Sequence, residues 1–327
     1  MIRLLGLELT RLRWRRAVLL LLLACVAIPV IIFGTLAWST RPVSDADLQQ
    51  AQEQVDRERE NPSFQREVAR CEKRPDRYGA TSAAACEQMM GPRLEWFISR
   101  PQLSLDEAKR NQGLAVFVFL TGLLMLAATT FVGADWNSGS MSNQLLFEPR
   151  RIRIWLAKAG SVMALAALTL GLVLTAFWGA VYLLARSRDL EPLARVINDI
   201  QGTTVRATIL VAAAALGAYA VTMLFRSTVF TLGAMFAVVV GSTIVLAALG
   251  VSERWMPHKN LAAVLNDGAR YYRDVPDICF SGPRPPAGTD CQQFATMTLG
   301  DGALYLGIAL ALAVVLSMWS FQRRDVP

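Results

Sequence analysis

The chain has 327 residues and a net charge of +7, its mean hydropathy is +0.36, and 54% of it is hydrophobic. The apolar residues gather in six runs without Asp, Glu, Lys, Arg or His, at 17–38, 114–134, 159–185, 208–225, 228–251 and 302–321. That distribution excludes an ordinary soluble domain, because each run is close to the ~20 residues that a membrane helix needs. The excess base has an orientational explanation, given below, which leaves nucleic-acid binding without support.

In chain order, residues 1–16, MIRLLGLELTRLRWRR, scatter Leu4, Leu5, Leu7, Leu9 and Leu12 among arginines. This pattern predicts an amphipathic helix in the headgroup layer, with its arginines toward lipid phosphates. Span 1, 17–38, is longer than the apolar core of a signal peptide, and no A-x-A-like cleavage site follows it. The segment 39–113 then has room for a small, mainly helical extracellular domain. Ser44 opens the helical stretch SDADLQQAQEQVDREREN, which Asn61-Pro62 stops. Pro75, Gly79 and Gly91-Pro92 mark turns, and Ser104 with Glu107 spells a capping box for a helix feeding span 2. Span 2 is 114–134, the loop 135–158 follows, and span 3 is 159–185. The outer connector 186–207 is expected to lie partly along the membrane before span 4, 208–225. Only Arg226 and Ser227 separate that span from span 5, 228–251, which predicts a tight hairpin. The outer segment 252–301 carries Trp255, Tyr271 and Tyr272, aromatics suited to an interface, and a loop SGPRPPAG. Span 6, 302–321, leads to a short tail, 322–327.

Six spans put both termini on one side of the membrane. With the termini cytoplasmic, the inner segments hold twelve bases against four acids, and the remainder holds 21 bases against 22 acids. The bases at 11–16, 150–158 and 323–324 flank span ends, where the positive-inside rule counts them. Cysteine placement agrees with this orientation. Cys71 and Cys86 fall in the first outer segment, Cys279 and Cys291 in the last, and Cys25 sits alone in a span. An even number on the oxidising side reads as disulfides. Of the three possible pairings, the local ones are favoured, Cys71–Cys86 and Cys279–Cys291.

The spans exclude several chemistries. Ion-coupled carriers generally need ionisable groups within the bilayer, and these runs have none. Thr121, Thr129, Thr130, Thr222, Ser242 and Thr243 read as packing, and Ala213, Gly217, Gly233 and Gly241 as sites of close helix contact. No catalytic set is legible, and no metal set either, since His258 is the lone histidine and there is no C-x-x-C. A phosphate loop is also missing, so any work must draw its energy from a partner.

The loop 135–158 remains. Ser140 or Ser142 is expected to cap a short helix holding Met141, Leu145, Leu146 and Phe147, which Glu148-Pro149 breaks. A second amphipathic turn should turn Arg150, Arg151 and Arg153 to phosphates and Ile152, Ile154 and Trp155 to lipid. An exposed Leu-Leu-Phe on such a loop asks for lipid or a protein groove.

On these residues the chain resembles the type-2 ABC transporter permeases. Their loop after the second span runs as an acid, Gly-Thr-Leu, leucines, Pro, Ser-Arg and a Lys. Here Asp135 stands for the acid, Gly139-Ser140-Met141 for Gly-Thr-Leu and Leu145-Leu146 for the leucines, while Arg151 and Lys158 are the closing bases. The acid is Asp in place of Glu, and Pro149 sits one place nearer Arg151 than is usual. The basic N-terminus, six spans and long last outer segment extend the resemblance over the whole chain. It implies an all-α membrane protein of six transmembrane helices, an exporter half in a bacterial plasma membrane. Residues 1–16 would be an interfacial elbow helix. Residues 140–148 would be a cytoplasmic coupling helix, and Asp135, Gly139, Met141, Leu145, Leu146, Phe147, Glu148, Arg151 and Lys158 would couple to an ATPase. The implied partners are separate ABC ATPase subunits carrying ATP and Mg, a second permease subunit (identical or paralogous) and membrane lipids. The cargo would be hydrophobic or amphiphilic. The alternative is a non-transporting membrane scaffold or sensor with a disulfide-stapled extracellular domain.

Overall fold

The computed structural model describes residues 2–98, 101–191, 193–273, 275–280 and 291–324. The proposed loop at 281–288 and Asp325 lie outside them. Helix α1 (Ile2–Arg13) is separated by two residues from α2 (Arg16–Ser39), which carries Pro29 in its interior. The polar segment that follows is divided by its own caps. Ser44 accepts from the Asp47 amide, and Asp47 returns the bond to the Ser44 amide, starting α3 (Asp45–Glu60). Asn61 ends α3 and caps α4 (Pro62–Lys73), where Pro62 fits because a first-turn amide has no helical partner. Three short helices come next, α5 (Pro75–Tyr78), α6 (Ala83–Met90) and α7 (Leu94–Phe97).

From residue 105 the helices lengthen, because the apolar runs contain no breaker. Helix α8 (Leu105–Ala108) continues through a π-helical turn, Lys109–Gly113, into α9 (Leu114–Asn137). Next come α10 (Ser140–Phe147), α11 (Arg151–Arg186) and α12 (Ala194–Phe225). Helix α13 (Thr228–Phe236) passes through a second π turn, Ala237–Gly241, into α14 (Ser242–Ala248). Helix α15 (Pro257–Leu265), strands β1 (Ala269–Tyr272) and β2 (Phe294–Met297), and α16 (Leu299–Arg323) complete the order. The strands pair antiparallel, with Ala269 opposite Met297 and Tyr272 opposite Phe294.

The described residues include five helices long and apolar enough to cross a membrane: Arg16–Ser39, Leu105–Asn137, Arg151–Arg186, Ala194–Phe225 and Leu299–Arg323. This is the makeup of a multi-pass membrane protein. Several sequence expectations are corrected. The span 3 helix begins at Arg151, so the amphipathic turn after Pro149 is its first part, and Ile154 and Trp155 are buried in protein rather than facing lipid. The connector after span 3 is short, because α12 is already helical from Ala194. Tyr271 and Tyr272 lie in a hairpin that sequence reading did not anticipate. Gly233 and Gly241 have no neighbour where a Cβ would stand, whereas Gly217 faces Leu310.

The chain divides into two units. In one (34–104 and 184–190) the Cys71–Cys86 disulfide joins α4 to α6, and both sulfurs are buried beside Ala80. Arg188 holds the end of α2 there, donating to Ala37 O at 2.8 Å and Thr40 Oγ1 at 2.6 Å. The other unit (1–33, 105–183 and 191–327) has its core where α12 packs on α9 and α16. Val211, Ala215 and Ala218 of α12, and Leu120, Leu124 and Phe131 of α9, are buried there. Small side chains let these backbones approach closely. The αL turn at Arg226 (φ 57°) brings α13 back against α9, so close that a Cβ on Gly133 would lie 1.8 Å from Thr228 Oγ1. A second disulfide, Cys279–Cys291, lies beside the hairpin in this unit.

Candidate functional site

The loop 138–150 is held at both feet by charge. Asp135 lies on the last turns of α9 and Lys158 two turns into α11, and neither has any exposure to solvent. Lys158 Nζ donates to Asp135 Oδ2 at 2.5 Å and to Glu8 Oε2 of α1 at 3.0 Å. The other Asp135 oxygen accepts from the Arg15 guanidinium, which also donates to Phe131 O at 3.1 Å. Arg11 lies 3.3 Å from Glu8 and 3.8 Å from Asp135, and donates to Ser140 Oγ at 2.7 Å. Both Arg15 and Lys158 stand 5.0 Å from the centroid of the Phe131 ring. Five charged groups from α1, the α1–α2 link, α9 and α11 thus share one cluster, fully buried at Asp135 and Lys158 and reaching solvent at Arg11 and Arg15. Removing ions from water costs several kcal/mol each, so such a cluster persists only when its attractions and hydrogen bonds are complete.

Sequence reading expected the N-terminal arginines to face lipid phosphates. The structure turns Arg11 and Arg15 to protein carboxylates instead, since the buried Asp135 has no water to solvate it. It also buries Leu12 and leaves Leu7 exposed. The side chain of Arg13 lies outside the described residues.

Beyond the cluster, α10 is capped by neither predicted serine. Its N-cap is Gly139, whose φ of 64° turns the chain, and Ser140 is the first helical residue. Gln144 donates to Ser140 Oγ at 3.3 Å on the same helix. The expected apolar stripe splits in two. Met141 is buried and Leu145 half-buried, while Leu146 is 80% and Phe147 91% exposed. Glu148 ends α10, lies 3.8 Å from Arg153, and precedes Pro149.

Arg151 then ties the loop to the end of α16. Its Nη1 donates to the carbonyls of Phe321 at 3.1 Å, Gln322 at 3.3 Å and Arg324 at 2.7 Å. These lie at a helix C-terminus, where carbonyls lack helical partners and the dipole is negative. One turn on, Trp155 Nε1 donates to Ser317 Oγ at 3.2 Å, and Tyr219 Oη of α12 donates to Trp155 O at 2.9 Å. The Trp155 and Tyr219 rings meet edge to face with centroids 5.1 Å apart. The loop's feet are therefore bonded to α1, α12 and α16 as well as to their own helices.

Of the sequence-predicted residues, Asp135, Met141, Arg151 and Lys158 form the buried or bonded base. Leu146 and Phe147 form the exposed tip, with Gly139, Leu145 and Glu148 between. Sequence reading missed Glu8, Arg11, Arg15, Trp155, Tyr219 and Ser317. One signal was available for the first, as Glu8 is the lone acid in residues 1–16. Among the described residues no group of three His, Cys, Asp or Glu side chains is placed to hold a metal ion. The arrangement joins an exposed apolar tip to several helix ends. No protein-family model, curated protein or solved structure matches the chain.

Proposed function

We propose that the chain is the membrane permease subunit of an ATP-driven exporter of the type-2 ABC class. The observation that carries this reading is the tip of α10. Leu146 and Phe147 stand exposed beside Glu148, Arg150, Arg151 and Arg153, a setting too charged for the hydrocarbon core. An apolar helical tip outside hydrocarbon needs a protein groove. The partner chemistry is a soluble ATPase that binds ATP and Mg, because this chain has no phosphate loop. A push on the tip passes through the Glu8–Lys158–Asp135–Arg15 cluster and Arg151 to α1, α9, α11 and α16. In this reading α1 is the elbow helix, α10 the coupling helix, and α13–α14 the fifth of six spans. Both termini are cytoplasmic in a bacterial plasma membrane, and two permease subunits pair, identical or paralogous, among the lipids. The cargo is hydrophobic or amphiphilic. The ion-free apolar runs support that class, as does an almost wholly apolar cavity of about 680 Å³ between α12, α13 and α16.

The proposal predicts a soluble P-loop ATPase encoded beside this chain, and co-expression with it is the test. The wild-type chain should retain the ATPase through purification and raise its turnover. Leu146→Ser with Phe147→Ser should abolish both without changing the thermal unfolding of the permease, since both side chains are exposed. Equal retention of the ATPase by the double variant would sink the assignment of α10.

A further inference from the structure

The far end of the same bundle, opposite α10, holds a second cavity, of about 400 Å³. This is within the size range of small-molecule sites. It lies wholly within the unit that contains α9, α11 and α12. One wall is the π turn 109–113 with its flanks. Lys109, Arg110 and Gly113 of this turn line the cavity together with Asp106 and Phe117 on the same helical face. Single π turns inside α-helices recur at functional sites, where they re-aim side chains. The opposite wall is Trp178 of α11, and a Cβ on Gly113 would lie only 2.5 Å from Trp178 Cζ2. Glycine here lets the six-membered ring of the indole pack directly against the turn. Phe177 fixes the ring from behind, with centroids 5.3 Å apart at 76°. Phe117 and Leu174, both buried, deepen the floor.

The rim of this apolar slot is charged, and its charges are divided. Lys109 Nζ pairs with Asp199 Oδ2 of α12 at 2.5 Å and so closes one side. Arg110 and Asp106 are exposed at the rim, and among the described residues neither forms an ion pair. They are four residues apart on one helix, which leaves one cation and one anion facing the mouth.

We infer that this cavity is a binding site for a single-chain zwitterionic amphiphile. Its chain lies against Phe117, Leu174 and Trp178. Its anionic group meets Arg110, and its cationic group meets Asp106. A purely anionic head would leave Asp106 repelling it, and a purely cationic head would face Arg110. A two-chain lipid has more apolar bulk than the slot admits. The inference rests on the exporter reading for calling this end the outer one and the ligand a cargo. The cavity and its charges stand apart from that reading.

The test is saturation binding of radiolabelled lysophosphatidylcholine to the purified full chain in phosphatidylglycerol nanodiscs, which keep zwitterionic bulk lipid from competing. Lysophosphatidylglycerol and an alkyltrimethylammonium of equal chain length are the comparisons. The expected result is saturable binding, tightest for lysophosphatidylcholine. Arg110→Ala should weaken both lysophospholipids, and Asp106→Asn only the zwitterionic one, each by roughly two- to fivefold, as expected for loss of one solvent-exposed charge contact. Both residues are exposed, so folding is not at stake. Absence of saturable binding, or binding unchanged in both variants, would overturn the site. Equal affinity for the two lysophospholipids with Asp106→Asn silent would overturn the ligand class. Binding is read without any ATPase, so failure here and failure of the ATPase pull-down are separate results.

Discussion

Two lysine–aspartate pairs mark opposite ends of one helical unit, and they have the same 2.5 Å separation. Lys158 and Asp135 are both without solvent exposure, whereas the Lys109 and Asp199 side chains are 14% and 47% exposed. The first pair has recruited Glu8 and Arg15 as further partners, and the second has no further ionic partner among the described residues and lines an open cavity. Distance alone therefore says little about what an ion pair contributes. Burial decides, because water screens one pair and cannot reach the other. The buried pair fixes helix ends in place; the exposed one leaves neighbouring charges available to a ligand.

The largest expected effect breaks the buried pair. Lys158→Met leaves Asp135 and Glu8 buried with fewer cations and should destabilise the chain by about 3–5 kcal/mol. A lowered denaturation midpoint in detergent, insensitive to added salt, checks this. An unchanged midpoint would mean that water enters the cluster, and the contrast between the two ends would fail. Next, Tyr219→Phe removes the hydrogen bond to Trp155 O while keeping the ring, at a cost of about 1 kcal/mol. The same measurement reads it, and combining it with Lys158→Met tests whether the two act through one network.

Below these, Asp199→Asn should cost less than about 1 kcal/mol, and the difference from wild type should vanish near 1 M salt. A larger, salt-resistant loss would erase the distinction between the two pairs. The smallest effect concerns a third ion pair, in the segment before β1. The Glu253 carboxylate accepts from Lys259 and from the Tyr272 amide, both at 2.8 Å, and these bonds hold its pKa below the ordinary glutamate range. A folded-state pKa below the unfolded one adds stability above the unfolded value. That stability is lost as pH falls through the lowered folded value. Glu253→Gln should therefore lower the unfolding midpoint slightly at neutral pH, with the difference from wild type vanishing as pH falls through the lowered folded value.

How far the sequence could be read follows the same division. Elements set by local chemistry were legible. Ser44 and Asn61 bound their helices through their own side chains, and five of the six apolar runs lie in long helices, while the run 228–251 is divided by a π turn. Asp135 and Lys158 could be singled out by motif, but their roles depend on groups that are distant in the chain. Glu8 reaches Lys158 across 150 positions, and nothing local to MIRLLGLELTRLRWRR announces that its arginines face protein. The cap of α10 was misassigned because serine is a common N-cap, while Gly139 was needed for its positive φ. The β1–β2 hairpin was hidden because the segment between its strands is long and proline-rich, with no short turn signal to join ARYY to FATM.

Gly133 and Thr228 meet so closely that neither position is independent of the other. A methyl group added at 133 has nowhere to go unless residue 228 becomes smaller. Gly133→Ala should therefore be a lesion for which random mutagenesis returns second-site revertants at Thr228, to alanine or glycine, which lack the clashing hydroxyl. In any set of descendant sequences these two columns should change together. The contact between α9 and α13 can thus be read genetically, with growth alone as the signal.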